Sequence, residues 1–478
     1  MEHFVMSRWV LLLLSLAPPP AWSAPMVIAD PVNAALVTPH RIETIATNLR
    51  VPWELRFLPD GRQIFTERIG RVRLIDEGRL VEKPALTLDV AARVKMGLLG
   101  LALSPDFEND DYVFLAWNRE VDRGRYELRV ERYRLDGSEL VEPKTIIEGI
   151  PAWENHTGCR LEFGPDGKLW ITTGDANDPP PSQQLNRLNG KILRLNPDGT
   201  IPEDNPFVGQ ADVRTEIWSY GHRNPQGLAF QPGTGRLFES EHGPNHGDEI
   251  NRIEKGANYG WPVISHSREA EGMRAPLIEL SPAVGPGRLL FYQGSAFPEL
   301  RGTLLLACLR GSAVERIILD GDGRPTAVDR LWHNKWGRIR FINEAPDGSL
   351  WLSTSMFDPP EAHGAGPNDL IIRITADPAG TVESPAREIT APAVSLTSKT
   401  RDPDVLISVA CASCHGPTLE GGLQRNLLAG EWQHAGSDED LERVIAEGLP
   451  ALGMPPSKEV LNESQIRILA DFLREKRR

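Results

Sequence analysis

One short motif recurs along most of this chain and restricts its architecture more than any other feature. A proline-led turn, mostly Pro-Asp or Pro-Gly, is followed by a short β-branched or aromatic strand. It reads LPDGRQIFTE (58–67), SPDFENDDYVFLA (104–116), GPDGKLWITT (164–173), QPGTGRLFES (231–240), FPELRGTLLLA (297–307) and APDGSLWLST (345–354). The six copies start 46 to 67 residues apart. Such turn residues supply tight reversals between antiparallel strands. Sustained helical periodicity is sparse from Thr38 to Thr375. An all-β repeat of this length indicates propeller blades, so residues 38–375 are expected to form a six-bladed β-propeller. A sandwich has no need of the same hairpin six times.

Beyond this the pattern stops. Residues 376–400, rich in Pro, Ser, Thr and Ala, read as a linker. Residues 401–478 read as a small all-α cytochrome c domain. Their key is CASCHG, Cys411 to Gly416, which contains the C-x-x-C-H signature of covalent haem attachment. Cys411 and Cys414 would bond the haem c vinyl groups and His415 would ligate iron. Met454, in GMPP, stands where a second axial ligand is expected; its soft thioether raises the potential. A zinc half-site or redox dithiol fits less well, since no second Cys/His pair follows at zinc spacing and no βαβ pattern surrounds the motif. The flanks read as helices. SDEDLERVIAEGLP opens with Ser437 as N-cap, and NESQIRILADFLREKRR puts Ile466, Leu469, Ala470 and Leu473 on one face. Together they resemble a class I cytochrome c, so the chain is expected to move electrons.

The formal net charge is −14 over 478 residues; the last 78 carry −4, leaving −10 for the rest. Neither part is basic, so no nucleic-acid partner is expected. At the N-terminus, Arg8 precedes an apolar run from Trp9 to Ala17, followed by a Pro-rich break and Ala21-Trp22-Ser23. The run is too short to span a bilayer and the break has a small-x-small cleavage pattern. Residues 1–23 are therefore expected to be a signal peptide and the protein periplasmic, not membrane-spanning. Cys159 and Cys308 remain outside the haem motif. An oxidising compartment allows them to pair, but two separate buried thiols is the favoured reading.

Propellers gather function on loops at one end of the channel. Four loops are rich in His, Arg, Asn and Gly: WENHTGCRLEF with His156, WSYGHRNPQGLAF with Arg223, Asn224 and Gln226, SEHGPNHGDEIN with Gly243, Pro244, Asp248 and Glu249, and WGRIRF with Arg338 and Arg340. The last two arginines are two apart, which in a strand puts both on one face.

These loops resemble the soluble glucose/sorbosone dehydrogenase family, six-bladed propellers that use pyrroloquinoline quinone (PQQ) and calcium to oxidise sugars. The resemblance covers Val37 to Ile374. GHRNPQGLAF and EHGPNHGDEIN carry most of it, with VPWELRFLPDG, GLLGLALSPDF and NYGWP in support. It implies that His156 is the general base and that Arg223, Asn224, Gln226, Arg338 and Arg340 hold PQQ, whose three carboxylates suit guanidinium forks. Arg310, in LACLRG, is expected among the PQQ-binding residues too; it stands where the family has a lysine, a swap that keeps the charge but alters the geometry. The carbonyls of Gly243 and Pro244 would ligate the catalytic calcium, an ion that accepts such oxygens, with Asp248 in support. Glu249 and the Tyr259 carbonyl resemble a second calcium site. Asp175, in TTGDAND, would orient the base or line the pocket. Two departures stand out: Lys95 where a glutamine is frequent, and Phe341 where an Asp is common. Both are expected to alter pocket polarity or cofactor electronics.

The implied activity is oxidation of an aldose at C1 to the lactone, with electrons passing from PQQ to the haem and on to an external acceptor such as a soluble cytochrome or oxidase. Two rivals are a calcium-dependent propeller lactonase and a non-catalytic recognition propeller with a haem sensor. The first leaves the arginines and the haem unexplained; the second leaves His156 and the paired arginines without a task.

Overall fold

The computed structural model describes residues 25–29, 31–244, 246–356, 369–382, 401–411, 419, 427–428, 438–449, 456–459 and 461–477. The segment 1–23, Ser437, Cys414, His415 and Met454 lie outside the described residues.

Six sheets form a six-bladed propeller. The first strand of each blade is, in order, Pro52–Phe57, Leu98–Leu103, Leu161–Phe163, Pro225–Phe230, Pro286–Phe291 and Ile339–Glu344. The second strands are Gln63–Glu67, Tyr112–Asp122, Leu169–Thr173, Leu237–Glu241, Leu304–Cys308 and Leu350–Thr354. Each proline-led turn of the repeat is the link from the first strand of a blade to the second. Its chemistry recurs because the same antiparallel reversal must be made in every blade. Second strands such as LWITT, LLLAC and LWLST are buried along their whole length. They lie between neighbouring blades, which explains apolar runs in place of strict alternation.

The ring closes through the chain's own N-terminal part. Strand His40–Leu49 pairs antiparallel with Asp369–Ala376, the third strand of blade six, so that blade has an edge supplied from the other end of the chain. The propeller also takes in more chain than the 38–375 span expected from sequence. Met26–Ile28 adds a parallel strand to Ile278–Leu280 in blade four, and Val32–Ala34 adds one to Pro325–Leu331 in blade five. These pieces lack the turn motif, so their strand pairing was not legible. At the other end Thr381 bridges His40, which moves the start of the expected linker beyond residue 381.

The C-terminal helices Pro403–Ala410, Asp438–Glu447 and Glu463–Arg477 have a core of their own, including Leu406, Leu441, Ile445, Ile466, Leu469, Ala470 and Leu473. A capping box starts the last helix: Gln465 N donates to Asn462 Oδ1 at 3.1 Å, and Asn462 N donates to Gln465 Oε1 at 3.0 Å. Among the described residues no helix is long and apolar enough to cross a membrane. Cys159 and Cys308 are separate buried thiols in different apolar clusters.

Candidate active site

Strand direction decides which loops meet. In a four-stranded antiparallel blade, the links from last strand to next blade and from second to third strand lie at one end. The segments 153–160, 221–224 and 332–338 are links of the first kind, and 174–190, 242–247 and 309–312 are of the second. All therefore gather at one mouth of the channel. A cavity there is lined by Trp53, Lys95, His156, Thr157, Gly158, Asn224, Gln226, His242, Leu309, Arg338 and Arg340. Among the described residues no carboxylate lines it, whereas three cationic side chains do.

His156 is mostly buried and adopts φ 55°. Its Nδ1 lies 2.8 Å from Asp175 Oδ1, whose side chain is fully buried. The carboxylate accepts, so Nδ1 carries the hydrogen and Nε2 keeps its lone pair. Asp175 is itself held: Oδ1 accepts from Asn177 N at 2.7 Å and Oδ2 from Trp261 Nε1 at 2.8 Å. Of the two roles expected for Asp175, the geometry is that of an orienting group. Gly174 permits this approach, because a Cβ there would strike the His156 carbonyl. Burial lowers the His156 pKa below the ordinary imidazole value; the Asp175 hydrogen bond opposes this and Arg223 adds to it. The ring is neutral near pH 7.

Arg338 and Arg340 both line the cavity, as their two-residue spacing requires. Arg340 lies 3.9 Å over the Trp53 ring, and its Nη1 donates to Gln226 Oε1 at 3.2 Å. The amide of Gln226 donates to Gly158 O at 2.9 Å and to Asn224 Oδ1 at 3.0 Å, tying the 153–160 and 221–224 loops together. Arg223 stands one layer back: Nη1 donates to His242 O at 3.0 Å, and its guanidinium lies 5.2 Å from the Trp261 ring centroid. Arg310 is also off the lining; its neighbour Leu309 takes that place. Its charge acts on Asp248 and His246 instead. Lys95 lines the cavity, but Phe341 does not. Phe341 is fully buried with Leu55, Phe65 and Trp351, on the strand face opposite Arg340, so the expectation that it alters pocket polarity is corrected.

The Gly243–Pro244 loop is shaped by Asp248. Its Oδ1 accepts from Gly243 N at 2.9 Å and its Oδ2 from Gly285 N at 2.7 Å. Both oxygens are engaged by backbone, so this carboxylate holds the loop's form. Burial pushes its pKa up, and the two amides pull it back. A Cβ at Gly243 would strike the Gly247 carbonyl, which explains the glycine. Glu249 belongs to a buried acidic cluster: the Asn251 amide donates to Glu239 at 3.1 Å and to Glu241 and Glu249 at 3.3 Å. Burial first, then Glu241, pushes Glu239 and Glu249 well above the usual carboxylate range. Tyr259 stacks on His222, which lies 3.2 Å from Glu241. His222, Glu239 and Glu241 offer ligand atoms close enough for one cation, and sequence reasoning missed all three. It also missed Trp53 and His242, although His242 lies within the EHGPNHGDEIN motif.

Beneath the cavity, charged side chains fill the channel. Arg160 Nε donates to Gln226 O at 3.0 Å, and its guanidinium pairs with Glu54. Arg288 joins Glu54 at 2.9 Å to Glu162 at 3.3 Å, and Arg56 meets Glu162 at 2.8 Å. Three guanidiniums thus share two carboxylates, leaving positive charge under the cavity. This lining suits a polycarboxylate: cations and amides form it, no acid opposes them among the described residues, and the floor is cationic.

Both parts of the chain are similar to known proteins. The glucose/sorbosone dehydrogenase family model matches residues 49–360, and the model for subunit III of cbb3-type cytochrome c oxidase matches residues 398–473. The aldose sugar dehydrogenase YliI of Escherichia coli K12 is 34% identical over 354 residues, covering 70% of this chain and 91% of that protein. A structure of the PQQ-bound aldose sugar dehydrogenase of Streptomyces coelicolor superposes with TM-score 0.61 at 32% identity, covering 72% of this chain and 99% of that one. Cytochrome c55X of Paracoccus denitrificans is 42% identical over 69 residues, 14% of this chain and 65% of that protein. The chain belongs to the glucose/sorbosone dehydrogenase family, and its propeller is followed by a cytochrome c domain.

Proposed function

We propose that the protein is a PQQ- and calcium-dependent aldose dehydrogenase that oxidises the sugar at C1 to the lactone and delivers the electrons to its own haem c. One observation carries this reading: a single cavity joins a neutral, Asp-anchored histidine to Lys95, Arg338 and Arg340, with no carboxylate among its described lining.

When bound, PQQ supplies a two-electron quinone acceptor for hydride, and calcium supplies Lewis-acid polarisation. The chain's own residues do the rest. Arg338, Arg340, Lys95, Asn224 and Gln226 would hold the anionic cofactor, with Arg340 backed by Trp53. Arg223 and Asp248 keep the surrounding loops in place, and the Gly243 and Pro244 carbonyls would hold the ion. His156 Nε2 takes the proton of the anomeric hydroxyl as the C1 hydride leaves, and Asp175 stabilises the resulting imidazolium. Two electrons and two protons leave the aldose, giving the lactone. Cys411, Cys414 and His415 would hold a haem c, which would supply one-electron transfer to an external acceptor such as a soluble cytochrome or oxidase. Glu249 and the Tyr259 carbonyl, beside the buried acidic cluster, are the candidates for a second calcium. Covalent haem and the N-terminal segment favour export to the periplasm.

The test is reconstitution. Cofactor-free protein given PQQ, calcium and glucose should reduce its haem, read in the Soret and α bands. Restoration by a nicotinamide or flavin cofactor overturns the assignment. Lactone hydrolysis without haem reduction favours the hydrolase reading.

A further inference from the structure

The rim of the cavity carries a feature that the chemistry at C1 leaves unused. Among the described residues, the exposed large apolar side chains are Val32, Val37, Val208, Val263, Ile318, Val382 and one aromatic, Trp153, at 43% exposure. Trp153 lies three residues before His156 in the same loop, so their Cα atoms are at most ~11 Å apart. The loop is tied to the cavity: Lys95, a lining residue, donates its amide to Glu154 O at 3.0 Å. Tyr126 meets the Trp153 ring edge-on, with centroids 6.1 Å apart and planes at 65°. Arg93 lies 5.8 Å from the Tyr126 centroid and 3.8 Å from the Glu154 carboxylate. The hairpin behind them is long, with strands of 11 and 12 residues. Tyr126 pairs with Ala152, so the tip of this hairpin stands at the same mouth as His156.

We propose that Trp153, backed by Tyr126, is a stacking platform for a second sugar ring, so that the site accepts the reducing end of an oligosaccharide. This rests on the sugar-oxidising reading above. A pyranose presents a face of C–H bonds and a rim of hydroxyls. An exposed indole suits the face, and the Arg93–Glu154 pair beside it suits the rim. Only the reducing-end residue has a free anomeric hydroxyl. With C1 held at His156 inside the cavity, the remaining rings must run outward past the mouth, where Trp153 is open.

The experiment compares glucose with maltotriose on the full chain loaded with PQQ and calcium, using an artificial electron acceptor. Trp153→Ala should lower the ratio of kcat/KM for maltotriose to that for glucose about 5- to 10-fold, and Trp153→Phe should retain most of it. An unchanged ratio overturns the platform. So does slower haem reduction at an unchanged ratio, which would assign Trp153 to contact with the haem domain. Calorimetric titration with maltotriose reads the platform without turnover: affinity should fall by a similar factor in Trp153→Ala, and equal affinities overturn it. Failure to oxidise either sugar despite that binding difference sinks the sugar-oxidising reading alone.

Discussion

His156 owes its basicity to its surroundings more than to its residue type. Burial alone would make it a weak base, because the neutral ring is favoured and its pKa falls. The 2.8 Å contact with Asp175 opposes that fall and fixes which nitrogen faces the cavity. His156→Ala should reduce kcat on the order of a hundredfold or more, while PQQ binding, read by its absorbance, persists. Near-normal turnover would return His156 to a structural role. In the parent protein kcat/KM should fall on the acid side, at a pH below the ordinary imidazole value of about 6.5, since the base must be neutral and its pKa is lowered. Asp175→Asn removes a group that raises that pKa, so the acid limb should move to still lower pH while kcat drops roughly a hundredfold. A merely structural aspartate would reduce activity without moving the limb.

At the scale of the element, the first strands of the blades do more than line a channel. Arg160, Glu54, Arg288, Glu162 and Arg56 come from three blades and cross-link them. Burial, then Arg288 and Arg340, presses the Arg160 pKa well down, although a guanidinium keeps its proton. Burial would raise the Glu162 pKa, yet Arg56 and Arg288 hold it below its usual value. Such a network is costly to break from one side. Arg160→Met should destabilise the propeller by about 3–5 kcal/mol, seen as a lower thermal midpoint, because Glu54 loses a buried partner. It should also weaken PQQ binding, since the cationic floor is reduced. An unchanged midpoint would mean that Arg288 alone satisfies Glu54.

For the whole molecule, the chain joins a sugar-dehydrogenase propeller to a cytochrome c domain. The C-terminal helices have a separate apolar core, so the haem domain can be perturbed without touching the propeller. Haem should stay with the polypeptide on a denaturing gel when the chain is made with c-type maturation machinery; its loss would exclude the covalent link at Cys411 and Cys414. Met454→Ala should abolish the sulfur-to-iron absorption band and lower the haem potential, since the thioether favours ferrous iron. An unaltered spectrum would hand the sixth position to another ligand such as His434. On the proposed reading, the linker beyond residue 381 raises the local concentration of the haem at the propeller, so haem reduction should be independent of protein concentration.

The sequence by itself determined the number of blades, because each blade needs the same first-to-second reversal and proline, aspartate and glycine are the residues that make it. It also determined that Arg338 and Arg340 share a face, since side chains on a strand alternate. The same alternation puts Phe341 on the face opposite Arg340, away from the cavity. Tertiary structure alone decided the pairings across blades. An orienting role for Asp175 was one of two expected, and the structure alone brings it to His156 across 19 residues of sequence; nothing in a distance of 106 says that Arg160 meets Glu54. The first and last strands of blade six come from opposite ends of the described propeller, and Met26–Ile28 and Val32–Ala34 find their partners only when the ring is complete. Local turn chemistry is written in neighbouring residues. Contacts between blades depend on how six sheets pack around one channel, and that geometry exists only once the ring has closed.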